Sequence, residues 1–181
     1  MRLVLGTTRT ILRPFEFADC TELHEIFGDP ATHTIGDGPF TSPEQTRHWI
    51  HRRIDSRERS GLLWYAVRDS ATGLLLGDCG LFAGRTGADE PEIGYEIRRS
   101  HQGRGFASEV ARAVLQEAAA CGVPRVWATI RPKNTASIRV AAKAGFTRHH
   151  LGGDDRGQLV YLVSPRFAGS ARGRRAGAAP E

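Results

Sequence analysis

The sequence predicts an α/β (α+β) fold, a mixed and mostly antiparallel central sheet flanked by about four helices. The chain has 181 residues, 40% hydrophobic and 25% charged, as is typical of one globular domain. Strand-like and helix-like patterns follow one another as strand, two helices, three strands, helix, strand, helix and two strands. This order indicates an antiparallel meander in the first half and a strand–helix–strand crossover in the second.

The first half begins with a short strand, RTILR, which we expect to end at Pro14. Asp19 is placed to cap a helix, and Ser42 caps a second helix that has Pro43 at its first position. Trp49 lies on the predicted buried stripe of that second helix. Three strands are then predicted in the segments LLWYAVRD, GLLLGDCGLF and PEIGYEIR.

The second half begins with a long helix, predicted from about Gly103 to Cys121, with Gly122 as its C-terminal cap. A strand, RVWATIR, and a short helix closed by Gly145 follow. The last two predicted strands lie near residues 146–151 and in QLVYLV. We find no internal repeat, and we assign residues 1–168 to one domain and residues 169–181 to a disordered Gly/Ala/Arg tail.

Charge and cysteine content narrow the class of protein. The net charge of +5 and the pI near 9.6 suit an anionic partner, either a phosphorylated small ligand or nucleic acid. The tail supplies part of this charge, and we interpret it as a solvated segment with no specific nucleic-acid role. Cys20, Cys79 and Cys121 show no disulfide or zinc spacing, so buried free thiols are expected. With no apolar membrane segment or signal peptide visible, we predict a cytoplasmic protein.

A glycine cluster stands where the strand PEIGYEIR leads into the long helix. Gly103 and Gly105 flank Arg104 within SHQGRGFASEV. Glycines let the backbone approach a ligand, and the amides at a helix N-terminus favour an anion such as phosphate. The nucleoside-triphosphate P-loop and the dinucleotide fingerprint do not match. Alone, the cluster could equally be a turn that begins a helix.

A second motif gives the cluster more meaning. Gln102–Ala107 reads Q-x-x-G-x-A, and it resembles the pyrophosphate-binding signature of the GNAT superfamily of acetyl-CoA-dependent N-acetyltransferases. Asn134, Ser137 and the pair Gly145–Phe146 resemble that superfamily's second conserved segment. The flanking sequence looks most like the RimJ/RimL branch of ribosomal-protein N-terminal acetyltransferases. The resemblance extends from Arg9 to Ser164.

This resemblance implies a GNAT-like sheet with splayed central strands, here PEIGYEIR and RVWATIR, that admit the pantetheine arm of acetyl-CoA. It implies acetyl-CoA as co-substrate, and no metal. Pyrophosphate would be bound mainly by backbone amides, pantetheine by the main chain at the end of PEIGYEIR, and the cofactor also by one side-chain amide. The implied cofactor-binding residues are Ile97, Arg98, Gln102, Gly103, Arg104, Gly105, Phe106, Ala107, Asn134 and Ser137.

The same resemblance implies catalytic roles. Ser137 stands where this branch places a hydroxyl near the sulfur, so it is the candidate general acid. Glu92 and Glu96 share one strand face with Gly94, and either carboxylate is a candidate general base. The chain departs from many relatives at Ala141, where they carry a tyrosine acid, and at Thr129, where some carry a glutamate. The first departure favours Ser137, and the second leaves the base open.

Each assignment has a simpler structural alternative. Asn134 and Ser137 could serve only to begin a helix, and Glu92 and Glu96 could be solvated strand residues. His48 and His51 lie a helical turn apart without a third ligand, so we expect an exposed face and no metal site. A probable loop near the acceptor end contains His149–His150 and Asp154–Asp155, which could contact substrate or simply be polar.

We therefore predict an N-acetyltransferase that moves the acetyl group of acetyl-CoA to a primary amine by direct attack in a ternary complex. A protein N-terminal α-amine is the first choice of acceptor, and a small molecule such as an antibiotic or polyamine is the second. A non-catalytic CoA-binding sensor or interaction module remains an alternative. An RNA- or ribosome-binding protein is a weaker one. The resemblance makes a monomer or homodimer plausible.

Overall fold

The sheet has eight strands in the order β1-β2-β3-β4-β5-β6-β8-β7 in the computed structural model, which describes residues 1–32 and 38–167. The strands are β1 (Leu5–Gly6), β2 (Thr10–Pro14), β3 (Trp64–Asp69), β4 (Leu75–Gly84), β5 (Gly87–Ile97), β6 (Trp127–Ile130), β7 (Thr147–Asp154) and β8 (Gly157–Val163). The α-helices are α1 (Cys20–Phe27), α2 (Pro43–Ser60), α3 (Phe106–Ala120) and α4 (Thr135–Lys143). The predicted α/β fold is confirmed. The tail predicted for residues 169–181 lies outside the described residues.

Two hydrophobic cores cover the two faces of this sheet. One core joins α3 and α4 to side chains such as Ile93 and Ile97 of β5. The other joins α1 and α2 to Trp49, Trp64 and Leu75. None of the helices in the described ranges is both long and apolar enough to span a membrane.

Strands β5 and β6 are joined by the crossover through α3 and are the sheet's parallel neighbours. They register at a single position, Glu92 opposite Trp127, whereas the other neighbours pair antiparallel. Beyond that point β5 continues to Ile97 and β6 to Ile130 without further pairing. We call the space between these two strand ends the gap. It gives the sheet the splayed centre that the resemblance implied.

The long helix begins three residues later than the sequence indicated. Gly103 and Gly105 have φ angles of 73° and 86°, in the left-handed region, so α3 starts at Phe106. By contrast, the predicted start of α2 is confirmed. Ser42 and Gln45 form a reciprocal capping box, and Pro43 is the first helical residue.

The first predicted strand ends at Pro14, as expected. Other local predictions need correction. Asp19 makes no side-chain cap for α1, because its buried carboxylate accepts hydrogen bonds from the guanidinium groups of Arg13 and Arg68. The polar segment from His149 to Asp154 is part of strand β7, which pairs with β8, and is not a loop. Cys121 is exposed, although Cys20 and Cys79 are buried as expected.

Candidate functional site

The backbone of β5 presents hydrogen-bonding groups to the gap. The Arg98 amide donates to the Leu76 carbonyl at 2.7 Å, which fixes the residues that bond to β4. Because alternate residues of an antiparallel strand bond to the same neighbour, Glu96 and Gly94 also face β4. The amides and carbonyls of Tyr95 and Ile97 therefore face the gap, where β6 has already diverged.

The end of β5 is held by the residues that follow it. Gln102 Nε2 donates to the Ile97 carbonyl at 2.8 Å, so this side chain orients the end of the strand. The Arg98 amide is bonded to Leu76, and the Arg98 carbonyl accepts from the His101 amide at 2.8 Å. The predicted main-chain role of Arg98 would therefore use the remaining lone pair of its carbonyl. Ile97 offers a free amide to the gap, and its carbonyl has one lone pair left beside the bond from Gln102.

The loop from Gln102 to Ala107, which we call the glycine loop, surrounds an array of free amides. In the described part of the chain, none of the six N–H groups from Gly103 to Ser108 donates a hydrogen bond to protein. They surround the N-terminus of the 15-residue helix α3, whose dipole favours negative charge. The loop is exposed up to Gly105, and the guanidinium of Arg104 lies 5.5 Å from the Phe106 ring centroid. This arrangement suits a phosphate group.

A second guanidinium lies beside the loop and was not foreseen from the sequence. Arg9 Nη1 donates to the Arg104 carbonyl at 3.1 Å, and the Arg9 guanidinium carbon lies 4.1 Å from the Phe106 ring centroid. Glu109 holds Arg9 in this position through a 2.8 Å bond to Nε and a 2.6 Å ion pair to Nη2. No sequence signal relates Arg9 to the loop, because a hundred residues separate it from Glu109.

On the face of the sheet that α3 and α4 cover, the side chains of Ser137 and Tyr95 are hydrogen-bonded to each other. Tyr95 donates its hydrogen to the Ser137 carbonyl at 2.9 Å, and Ser137 Oγ donates to the Tyr95 hydroxyl at 3.1 Å. Burial raises the pKa of Tyr95 to about 12, with the hydrogen bond from Ser137 opposing this shift. Tyr95 therefore keeps its proton at neutral pH. This tyrosine is a second residue that the motif comparison missed.

Asn134 lies at the start of the same helix. Its Oδ1 accepts from the Ser137 amide at 3.0 Å, so the predicted helix-capping role is confirmed. Its side-chain nitrogen makes no hydrogen bond to any described residue and remains a free donor at the N-terminus of α4. A cofactor contact is compatible with the cap.

On the opposite face, Glu92 is fully buried, so its interpretation as a solvated residue is wrong. Its carboxylate accepts hydrogen bonds from the Arg85 amide and from Thr129 Oγ1. Arg85 Nη1 lies 3.8 Å from Glu92 Oε2, and Arg85 Nη2 forms an ion pair with Asp154 Oδ2 at 2.6 Å. Hydrogen bonds from Arg131 and Arg85 lower the pKa of Asp154 to about 2. Glu92 therefore bonds to groups from both halves of the sheet. It lies where β5 and β6 still pair, which we call the closed end of the gap.

Glu96, two residues beyond Gly94 on the same face, is 7% exposed, so it too is not a solvated residue. Burial raises its pKa to about 9, and the charge of Asp29 acts in the same direction. Its cross-strand neighbour Asp78 is also buried and accepts a 2.9 Å hydrogen bond from Trp64 Nε1. At neutral pH Glu96 is therefore a neutral carboxylic acid.

The glycine between these glutamates has a packing reason. A Cβ on Gly94 would collide with the Trp64 indole, which covers this part of the sheet. As a result, Glu92 and Glu96 flank an aromatic surface, while Tyr95 and Ser137 lie on the other face. Both sets of groups lie on or beside β5, the strand that borders the gap. The arrangement offers a hydroxyl donor on one side and carboxyl groups on the other.

Among residues 1–32 and 38–167, no group of three or more His, Cys, Asp and Glu side chains converges in a way that could hold a metal ion. His51 Nδ1 lies 3.0 Å from the Asp55 carboxylate on the surface of α2. The expectation that no metal takes part stays a prediction.

Comparison with known proteins agrees with this geometry. A family model described as an acetyltransferase (GNAT) domain matches residues 9–147. The Bacillus subtilis protein YkkB is 35% identical over 144 residues, covering 78% of this chain and 83% of its own length. The L-methionine sulfoximine/L-methionine sulfone acetyltransferase of Salmonella typhimurium is 28% identical over 144 residues, 72% of this chain and 75% of its own length.

Among solved structures, the fold is similar to RimL, the ribosomal L7/L12 α-N-protein acetyltransferase, solved in complex with coenzyme A. The TM-score is 0.79 at 21% identity, over 91% of this chain and 99% of that one. At this identity the similarity shows the shared fold.

The glycine loop allows a test with two glycines in the same backbone conformation. Gly105 and Gly87 both have φ of 86°, so replacing either by alanine imposes a similar left-handed strain of about 1–2 kcal/mol. Only Gly105 lies among the free amides, so only its replacement should move those amides away from a bound phosphate. We expect Gly105→Ala to weaken coenzyme A binding about tenfold, which corresponds to about 1.4 kcal/mol of binding free energy. Gly87→Ala should leave affinity unchanged. Calorimetric titration of both variants measures the difference, and equal affinities would contradict the assignment.

The raised pKa of Glu96 predicts a pH-dependent stability. The folded chain retains a proton that the unfolded chain releases near pH ~4.3, so the stabilisation is complete at low pH and is lost as pH rises towards about 9. Glu96→Gln keeps the neutral form at every pH. The free energy of unfolding of this variant relative to the native chain should rise by up to about 1.4 kcal/mol per pH unit between about pH 5 and 9.

Urea unfolding at several pH values measures this difference. Glu58→Gln, at an exposed position of α2, is the control and should show no such slope. A Glu96→Gln difference that is constant with pH would show that Glu96 is ionised in the folded protein.

Proposed function

The chain belongs to the GNAT family of acetyltransferases and is an acetyl-CoA-dependent N-acetyltransferase, and from this premise we propose that it acetylates a primary amine by direct attack in a ternary complex. The observation that carries the proposal is the array of six free amides at the glycine loop, continuous with the open backbone of β5. An anionic group at the loop and an amide-rich arm in the gap would satisfy both sets of groups.

Acetyl-CoA supplies an acetyl thioester when it is bound. We assign its pyrophosphate to the glycine loop, with Gln102 also orienting the end of β5. The backbone groups of Tyr95 and the amide of Ile97 would bind the pantetheine amides, and the Asn134 side-chain nitrogen would add a donor. The predicted contact at Arg98 remains part of the proposal through its carbonyl. The loop residues assigned to the cofactor are Gln102, Gly103, Arg104, Gly105, Phe106 and Ala107.

On the thiol side, Ser137 supplies a hydroxyl hydrogen to the leaving sulfur. A thiol resembling cysteine has a pKa near ~8.5, so its thiolate gains from a hydrogen-bond donor as it departs. In the resting protein this hydrogen is directed to Tyr95, which itself donates to a carbonyl. We therefore assign Tyr95 as a positioning residue that holds the Ser137 hydroxyl at the edge of the gap until the sulfur accepts it.

On the amine side, Glu92 is our candidate base. It lies at the closed end of the gap, and its two oxygens, each with a second lone pair, are oriented by the Arg85 amide and Thr129. Glu96 holds a proton at neutral pH because of its raised pKa, so it serves as a hydrogen-bond donor rather than as a base. An α-amine has a pKa near ~8 and is partly neutral at pH 7–8, so a modest base is sufficient.

For the acceptor, we propose an α-amine, with a protein N-terminus as the first candidate and a place in the RimJ/RimL branch. The shared fold with RimL supports this choice. The Salmonella relative, which is named for acetylating methionine derivatives, supports a small-molecule amine as the second candidate. The cytoplasmic location and the monomeric or homodimeric state remain predictions.

An acceptor panel tests the proposal. The protein is mixed with acetyl-CoA and with amines, amino acids and N-terminal peptides, and the release of free thiol is followed. We expect turnover with at least one α-amine and a mass increase of one acetyl group on that acceptor. Coenzyme A binding without turnover on any amine would contradict the proposed reaction.

A double-mutant cycle tests the pairing of Tyr95 with Ser137. Ser137→Ala should lower kcat about 100-fold, the lower end for loss of a general acid, with coenzyme A affinity largely kept. Tyr95→Phe should lower kcat about tenfold, because it releases the serine hydroxyl from its position. The double variant should be no slower than Ser137→Ala, since the tyrosine acts through the serine.

The control for this cycle is Tyr65→Phe. Tyr65 donates to the Arg2 carbonyl at 2.8 Å, away from the gap, so its loss should leave kcat unchanged. Additive losses in the double variant would show that Tyr95 acts independently of Ser137.

A further inference from the structure

Arg53 lies in the middle of α2 and turns its side chain inward, between that helix and the sheet. Its guanidinium carbon lies 4.2 Å from the Trp64 ring centroid, 4.7 Å from that of Trp49 and 6.0 Å from that of Phe82. Three aromatic rings therefore surround one cation. We call this group of four side chains the arginine box.

The guanidinium has no hydrogen-bond partner in the part of the chain that the structure describes. Its Nε is buried without an acceptor, and no carboxylate or carbonyl there bonds to its terminal nitrogens. Other inward-facing arginines differ, since Arg13, Arg68 and Arg131 each bond to a carboxylate. Burial lowers the pKa of Arg53 to about 10, with the charge of Asp78 opposing the shift. The group remains charged at neutral pH.

The arginine box is on the same face of the sheet as the candidate base. The Trp64 indole that packs against the Arg53 guanidinium also covers Gly94, two residues from Glu92. The Phe82 ring and the Glu92 carboxylate lie close together beside Gly84. A Cβ added to Gly84 would collide with both of them. A molecule whose amine reaches Glu92 would therefore have its other end near the box.

The chemistry of the box selects the group that would occupy it. Aromatic rings stack over a guanidinium and leave its N–H donors directed outward in the plane. Those coplanar donors match a carboxylate, which accepts two parallel hydrogen bonds. A cation would be repelled, and an apolar group would leave the buried Nε–H donor unsatisfied.

We propose that the arginine box binds a carboxylate of the acceptor, so that the amine to be acetylated belongs to a molecule that also carries a carboxylate. An α-amino acid and a peptide with an acidic side chain near its N-terminus both present this chemistry. The inference rests on the proposed function, since it concerns the acceptor of that reaction. It adds to that function the charge of the acceptor and the residue that recognises it.

The test compares acceptors that differ only in the carboxylate. In one arm, α-amino acids such as L-phenylalanine are compared with their carboxamides, and in the other the peptide Asp-Ala-Ala-amide is compared with Asn-Ala-Ala-amide. The native protein should prefer the carboxylate member by at least tenfold in kcat/KM in one arm. The preferred arm identifies whether the source of the carboxylate is an amino acid or a peptide.

Variants then assign the preference to Arg53. Arg53→Met, which keeps an unbranched side chain but removes the charge, should reduce the preference to about onefold. Arg53→Lys, which keeps the charge but lacks the paired donors, should give an intermediate value. Arg52→Met, at the exposed neighbouring position, should retain the native preference. Coenzyme A binding confirms folding of each variant, and Arg53→Lys preserves the test if Arg53→Met does not fold.

Different failures are distinguishable in this design. Acetylation of neutral amines without any carboxylate preference, or an unchanged preference in both Arg53 variants, would overturn the role of Arg53 and leave the acetyltransferase proposal intact. A lack of acetyl transfer to every amine, carboxylate-bearing or neutral, would overturn the proposed reaction itself.

Discussion

The divergence of β5 from β6 is the constraint on which the rest of the structure depends. The two strands register only at Glu92 and Trp127, so the sheet would be weak here if backbone pairing alone held it. At the closed end of the gap, hydrogen bonds between side chains hold β5 and β6 together in place of backbone pairing. Glu90 accepts bonds of 2.8 Å from Arg125 and 2.9 Å from the Trp127 indole, and Thr129 donates to Glu92. The gap is therefore an opening in the sheet whose closed end is held in place by these side-chain bonds.

This opening explains why functional groups can lie on both faces of one sheet. Tyr95 and Glu96 are neighbours in β5, yet their side chains lie on opposite faces because strand residues alternate. Ser137 is reached from the first face, and Glu92 and the arginine box lie on the second. A continuous sheet would separate these groups, whereas in the proposed reaction the gap would let a thioester approached from one side meet an amine approached from the other. Chemistry at the gap follows from the topology as much as from the residues.

Local features of this site could be predicted from the sequence, and long-range ones could not. The glycine loop follows from residue types at fixed spacing, because left-handed glycines and a helix N-terminus are encoded within a few residues. The shared face of Glu92 and Glu96 follows from strand alternation, but their burial does not, because it depends on how other parts of the chain pack around them. Arg9 was missed for the same reason, since Glu109 is a hundred residues away. Arg53 was missed because two of its three rings, Trp64 and Phe82, lie on strands and reach it only in the folded chain.

The central claim is that the gap and the glycine loop together bind one extended ligand. Amide hydrogen exchange, resolved by residue with and without saturating coenzyme A, tests it most directly. We predict slower exchange at Tyr95, at Ile97 and across Gly103–Ser108, where the amides lack protein partners. Exchange at Gly94 and Glu96 should change little, because those amides already bond to β4. Saturation with coenzyme A that leaves Tyr95, Ile97 and the loop amides unprotected would contradict the account.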